Sequence, residues 1–241
     1  TLDKLSKIAY YNNFNGIYFR IFYSIMIIGF VGLIGSGKDT CADTLVSEGG
    51  YKRVSFATNL KDAVAAIFGW DREALEGNTE ESREWREQVD EWWSEKLGIP
   101  KLTPRWILQY WGTDVLRKNF HDDIWIASLE SKLLTMKQDA VISDVRFPNE
   151  IKMIKRLRGK VYRIKRGPDP LWFNEAEKQN RLQKESKDKK NYIFVDKMTE
   201  KHPEVHISEY AWVGEKVDGV IENGGSIEDL QNAVRSQVLG L

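Results

Sequence analysis

With one cysteine, six prolines and three histidines in 241 residues, the chain is short of the residues that several chemistries require. Cys41 alone cannot close an internal disulfide, and its place on the inward face of a predicted helix makes it a buried thiol in a reducing compartment. No Cys and His residues fall at metal-ligand spacing, and no order of Ser, His and Asp compels a hydrolase. Charge of neither sign is in excess: 36 Lys and Arg stand against 36 Asp and Glu. A chain that coats a nucleic-acid polymer needs a cationic surplus, so that class is disfavoured, although a local basic pocket is not. Long apolar runs are missing too. The most hydrophobic stretch, Ile21 to Gly35, is shorter than the ~20 residues of a bilayer crossing, and no membrane role is expected. No internal repeat is evident.

The end of that stretch organises the rest of the chain. Ile25, Met26, Ile27, Ile28, Phe30 and Val31 read as a strand buried on both faces, as in the centre of a parallel sheet. Gly32-Leu33-Ile34-Gly35-Ser36-Gly37-Lys38-Asp39-Thr40 then makes a glycine-rich bend ending in lysine, and Asp39 to Ser47 suits a helix with Cys41, Leu45 and Val46 inward. Strand, tight turn and helix are the context in which Gly-x-x-x-x-Gly-Lys cradles phosphate, with backbone N–H groups and the helix dipole facing an anion. Asp39 stands where most such loops carry Ser or Thr for magnesium. Either Asp39 helps hold the metal, or Thr40 lies nearer the phosphates and Asp39 supports the helix start. The spacing resembles the loop of nucleoside monophosphate kinases, which favours phosphoryl transfer to a small molecule.

Hydrophobic content of 41% and charged content of 30% allow one substantial core, so a single α/β domain with an insertion is expected over residues 26–241. Residues 1–25, rich in Tyr, Phe and Asn, read as a leader without assigned function.

Downstream, Tyr51 to Phe56 reads as a strand and Leu60 to Phe68 as a helix ended by Gly69. Residues 71–100 form a helical insertion, in which an acidic amphipathic helix carries Trp85, Trp92 and Trp93. Arg83 and Arg86 beside that acidic face suit ion pairs within the helix, or a substrate phosphate. Thr103-Pro104 starts a helix through Lys118, with Trp106, Leu108 and Tyr110 packing and Arg105 and Gln109 facing elsewhere. A helix capped by Asp122-Asp123 comes next, then a strand ending at Asp144. If that strand neighbours the first, Asp144 comes to the phosphate loop, where a carboxylate orders magnesium. A cap for the helix Pro148 to Leu157 is its other use. Eight Lys or Arg and no acid lie between Ile151 and Gly167, mostly solvated, but Arg163 and Arg166 end the strand Lys160 to Lys165. Residues 167–205 show poor periodicity and read as an excursion from the core, a lid over substrate. A short helix at His206, a strand Asp218 to Glu222 and a helix capped by Ser226 close the chain.

Taken together, these motifs resemble the deoxynucleoside monophosphate kinase family of tailed bacteriophages over about residues 26–238. The resemblance rests on Gly37-Lys38-Asp39-Thr40, Leu60-Lys61-Asp62-Ala63, Arg105 with Leu108-Gln109 and Gly112-Thr113-Asp114. It continues through Asp144-Val145-Arg146, His206-Ile207-Ser208-Glu209 and Gly225-Ser226-Ile227-Glu228. It implies an α/β P-loop kinase fold, a parallel sheet flanked by helices with a helical substrate-binding insertion. It implies transfer of the ATP γ-phosphoryl group to a deoxynucleoside monophosphate, with Mg2+. On that likeness Gly32, Gly35, Ser36, Gly37 and Lys38 hold ATP, and Asp39, Thr40 and Asp144 position the metal. Lys38, Arg105, Arg146 and Asp144 are the catalytic candidates, and Lys61, Arg105, Gln109, Thr113, Asp114 and Arg166 are candidates for the acceptor. The implied setting is cytoplasmic, that of the host if the gene is a phage's. Oligomeric state is left open, a homodimer included. Dephospho-coenzyme A kinase-like chemistry and a nucleotide-dependent switch or packaging ATPase are the competing readings.

Overall fold

The computed structural model describes residues 25–186 and 197–241. Apart from Ile25 the expected leader lies outside them, as do residues 187–196 of the expected excursion. In chain order the elements are β1 (Ile27–Val31), α1 (Lys38–Gly49), β2 (Lys52–Val54), α2 (Thr58–Phe68), α3 (Glu80–Glu87), α4 (Glu91–Leu97), α5 (Pro104–Gln109), α6 (Ile124–Leu133), β3 (Ala140–Ile142), α7 (Pro148–Arg156), β4 (Lys160–Lys165), α8 (Phe173–Ser186), α9 (Lys197–Lys201), α10 (Ile207–Tyr210), β5 (Gly219–Glu222) and α11 (Ile227–Val234). They form two compact units, one that runs to Val54 and resumes from Lys132, and one of Ser55–Ser131.

The first unit is built on a five-stranded sheet in the order β2-β3-β1-β4-β5, with every neighbouring pair parallel. All five residues of β1 are buried, as befits a strand covered on both faces. On one face α1 and α11 deliver Cys41, Ala42, Leu45, Leu230 and Val234 against Ile28, Phe30, Val141, Tyr162, Ile164 and Ile221. On the other, Ile154 of α7 packs over Gly29 beside Val145 and Val161. The chain leaves central β1 toward β2 and β3 on one side and fills β4 and β5 on the other, so the order reverses at β1. In such sheets ligands bind beyond the carboxyl ends of the strands at that reversal. The α/β parallel architecture expected from the sequence is the one observed.

Two local expectations need correcting in this unit. Val46 is 40% exposed, because Cys41, Ala42, Thr44 and Leu45 already fill the inward stripe of α1 and Val46 lies a further 100° around it. The segment read as aperiodic contains α8, whose buried face carries Gln179 and Asn180 beside Phe173 and Ala176. Asn180 Nδ2 donates to the carbonyls of Tyr210 and Val213 at 2.8 and 2.9 Å, and Met198 N donates to Gln179 Oε1 at 2.8 Å. Satisfied amides thus replace the apolar residues by which a helical period is recognised.

The second unit is helical, with an aromatic core. Phe68 at the end of α2 stacks on Trp70 with centroids 4.4 Å apart and meets Trp93 at 4.9 Å and Trp111 at 5.4 Å. Indole N–H groups find acceptors: Trp93 donates to Phe68 O at 3.1 Å, Trp70 to Asp90 Oδ2 at 2.8 Å and Trp125 to Gly112 O at 2.8 Å. Residues 71–95 are therefore not one surface helix. A 3₁₀ turn (Ala74–Glu76) precedes α3 and α4, which start at the capping side chains of Thr79 and Asp90. Helix α5 buries Pro104 and Ile107, whereas Trp106 and Tyr110, 37% and 41% exposed, stack on each other at 4.9 Å. Past Gln109 the helix widens into a π-helical stretch (Tyr110–Arg117). Among the described residues no helix is long and apolar enough to cross a membrane.

Candidate active site

The glycine-rich bend leaves β1 at its carboxyl end and enters α1 through Gly37, whose φ of 101° is left-handed. Gly32, at φ 152°, could not carry a side chain, since a Cβ there would lie 2.4 Å from the carbonyl oxygen of Ile164 and 2.8 Å from Ser36 Oγ. No side chain caps α1, so the first N–H groups of a 12-residue helix are left for an anion. Lys38 folds over the loop, its ammonium donating to the carbonyls of Gly32 and Leu33 at 2.8 Å each and to Ser36 Oγ at 3.5 Å. Burial, followed by the Arg146 guanidinium, lowers its pKa to about 8, against the carboxylates of Glu209 and Asp39, which raise it. Cys41 behind the loop has its thiol pushed up to about 12, chiefly by burial, and is inert.

Because β3 lies beside β1, the turn after β3 brings Ser143, Asp144 and Arg146 to the same edge. Glu150, buried at the start of α7, accepts from the backbone N–H of Arg146 at 2.7 Å and of Phe147 at 3.0 Å, which holds that turn. Arg146 pairs with Glu209 of α10. Asp39 accepts from Ser143 Oγ at 2.8 Å and lies 3.3 Å from Arg53 Nη2, while most of its carboxylate stays in solvent. Thr40, in the first turn of α1, gives its carbonyl to Thr44 Oγ1 at 2.9 Å. Arg166, just past β4, donates to Gly35 O at 3.4 Å beside a cleft of about 110 Å³ lined by Ile34, Gly35, Ser36, Lys165 and Asp169. Arg163 lines the same cleft, where it pairs with Asp169 and lies over the rings of Phe173 and Trp212 at 4.5 and 5.4 Å.

The first unit thus gathers Gly32, Gly35, Ser36, Gly37, Lys38, Asp39, Thr40, Asp144, Arg146 and Arg166 of the sequence candidates. Lys61, Arg105, Gln109, Thr113 and Asp114 belong to the second unit. There Lys61 Nζ is 2.5 Å from Glu76 Oε2 and Arg105 pairs with Glu87. Gln109 ends α5, and Thr113 and Asp114 lie on the π-helical stretch, a geometry frequent at functional sites.

Four supporting residues are not evident from sequence. Asn223 and Ser143 follow strands at the carboxyl edge, where a polar residue at a strand end is the available signal, whereas Arg53 lies in the middle of β2 and has none. Asn223 Nδ2 donates to Ser36 O at 2.8 Å. Glu150 has a signal as well, standing three residues past Phe147 at the head of a predicted helix.

Chemically, unpaired backbone N–H groups with Lys38, Arg146 and Arg166 suit a polyphosphate. Among the described residues no three His, Cys, Asp or Glu gather as a metal cluster. Mg2+ takes one or two carboxylates with phosphate and water, and the largely exposed carboxylate of Asp39 beside the loop is a donor of that kind.

No family model matches the chain. It is 36% identical over 156 residues to a protein of Acanthamoeba polyphaga mimivirus named as a deoxynucleotide monophosphate kinase, a match covering 59% of this chain and 75% of the relative. To the deoxynucleoside-5'-monophosphate kinase of Escherichia phage T5 it is 28% identical over 180 residues, covering 54% and 72%. Among solved structures, TT1252 from Thermus thermophilus covers 90% of this chain and 98% of its own at 22% identity, with a TM-score of 0.41. A dephospho-CoA kinase from Campylobacter jejuni covers 90% and 97% at 15% identity, with a TM-score of 0.33.

Proposed function

The chain belongs to the deoxynucleotide monophosphate kinase family, and from that premise we propose that it transfers the γ-phosphoryl group of ATP to a deoxynucleoside monophosphate, giving the diphosphate and ADP. The observation that carries the donor side is the phosphate loop, with Lys38 over it and an uncapped helix N-terminus beneath it at the switch point of a parallel sheet.

Donor and acceptor are both anionic, so the protein must neutralise phosphate and align the reactants; it need not supply a nucleophile. An acceptor 5'-phosphate oxygen forms the new P–O bond to the γ-phosphorus, and the bond to the β–γ bridging oxygen breaks as ADP leaves. In this reading Gly32, Gly35, Ser36, Gly37 and Lys38 bind the β and γ phosphates through N–H groups and the ammonium. Arg146 and Arg166 meet the transferring group with planar donor forks. Arg105 binds the acceptor phosphate, and Gln109, with a donor and an acceptor on one amide, reads its base or sugar. Lys61, Thr113 and Asp114 complete the acceptor side. Asp39, Thr40 and Asp144 would hold Mg2+, which when bound would neutralise phosphate charge.

The test is ADP release by the purified chain with each of the four deoxynucleoside monophosphates, the ribonucleoside monophosphates and dephospho-coenzyme A. Turnover with at least one deoxynucleoside monophosphate is expected. Slow ATP hydrolysis with none of these acceptors would overturn the proposal.

A further inference from the structure

The second unit contains a guanidinium that, among the described residues, pairs with no carboxylate. Glu76 is shared by Lys61 Nζ and Arg72 Nη1, each at 2.5 Å, and Asp62 takes Arg72 Nε at 2.5 Å. Glu87 pairs with Arg105. Arg86, in the last turn of α3, has no carboxylate within ion-pairing distance among the described residues. Its Nη1 reaches only the carbonyl oxygens of Leu75 and Glu76, both at 3.5 Å, and its buried Nε has no hydrogen-bond partner. Burial and the like charges of Arg105 and Arg83 hold its pKa below the usual arginine range, partly offset by Glu87 and Glu76.

Gly77 ends the 3₁₀ turn at φ 70°, a conformation that favours glycine, and the Arg86 guanidinium lies against it, Nη2 1.9 Å from where a Cβ would stand. A half-buried cation with an orphaned donor and cationic neighbours is an unfavourable arrangement until an anion completes it. A phosphate suits it best, because a planar fork meets two of its oxygens at once.

We infer that Arg86, with Arg105 beside it, receives the 5'-phosphate of the acceptor nucleotide. The inference rests on the kinase reading, and it adds a residue that none of the motifs shared with the kinase family contains. The competing use of Arg86 is to clamp the 75–77 turn through its carbonyls.

Steady-state kinetics of the full chain separate the two uses, with the deoxynucleoside monophosphate varied at saturating ATP and then the reverse. For Arg86→Gln the acceptor KM is expected to rise roughly tenfold to hundredfold, the range set by losing charge-assisted hydrogen bonds. The ATP KM and the melting temperature should stay near wild type. Arg86→Lys should recover part of the loss, its cation restored and its fork not. An acceptor KM at the wild-type value in Arg86→Gln would overturn the assignment, as would equal rises in both KM values. Should Arg86→Gln not fold, Arg86→Lys carries the test: an unchanged acceptor KM in that variant also overturns it. A wild-type chain that uses no deoxynucleoside monophosphate would remove the kinase reading itself, and the role of Arg86 with it.

Discussion

The side-chain amide of Asn223 donates to the carbonyl oxygen of Ser36 at 2.8 Å, binding the end of β5 to the phosphate loop. Asn223 also packs against Gly37, where an added Cβ would come within 2.7 Å of its Nδ2. Asn223→Ala therefore removes a loop support without removing any group proposed to touch ATP. One lost hydrogen bond is worth about 1 kcal/mol, or about fivefold. We expect the ATP KM to rise by that order while the acceptor KM stays constant, which two-substrate kinetics would read directly.

Lys38→Ala deletes the cation that caps the carbonyls of both Gly32 and Leu33. Loss of a donor aimed at developing charge costs about 2.7 to 4 kcal/mol, so kcat should drop by roughly two to three orders of magnitude. Circular dichroism should report an intact fold. Wild-type turnover in the purified variant would remove the loop from the mechanism.

The same lysine makes nucleotide binding pH-dependent. Its pKa of about 8 leaves it increasingly neutral above that pH, while bound phosphate favours the charged form. ATP affinity should fall as pH rises through 8 and above, and calorimetry in buffers of differing ionisation enthalpy should detect proton uptake on binding in that window. The stability term has the opposite sign. Between about 8 and 10.5 the unfolded chain keeps a proton that the folded chain has lost, so the cost of burying Lys38 is relieved as pH rises. Affinity independent of pH from 7 to 9.5 would contradict the picture.

Glu209 offsets part of the depression of Lys38 and pairs with Arg146. Glu209→Gln removes the carboxylate charge that raises the lysine pKa, leaving burial and Arg146 to lower it further. The alkaline limb of kcat/KM for ATP should then move to lower pH than in wild type. A limb that stays in place, or moves up, would show that Glu209 does not act through Lys38.

Phe68 is the hub of the aromatic core of the second unit, touching Trp70, Trp93 and Trp111. Its truncation to Ala opens a cavity among rigid rings, at a cost of about 3–5 kcal/mol. Thermal unfolding followed by tryptophan fluorescence should show a lowered midpoint or a separate early transition. An unchanged melt would mean that these rings do not carry the stability of the unit.

The strands and the phosphate loop are legible in the sequence because their signals are local. Five buried residues before Gly32, a lysine after Gly37 and a capping serine before α11 each reveal their element within one short window. Capping by Thr103 and Ser226 is legible for the same reason, since a cap is satisfied within three residues. The tryptophans of residues 71–95 are not, because an indole in a surface helix and one in an aromatic cluster have the same neighbours in sequence. Only the fold puts Phe68 among them. Helix α8 escapes a periodicity search because buried amides hold its face.

By itself the sequence determined that this chain makes a central buried strand running into a phosphate loop, and its shared motifs placed it among deoxynucleotide kinases. Tertiary structure alone decided which distant groups support that loop. Parallel pairing of β1 with β3 brings Ser143 to Asp39 across 104 positions, and pairing of β1 with β4 and of β4 with β5 brings Asn223 to Ser36 across 187. It also decided the protonation of Lys38, because desolvation and the charges of Arg146 and Glu209 act through space and leave no pattern along the chain.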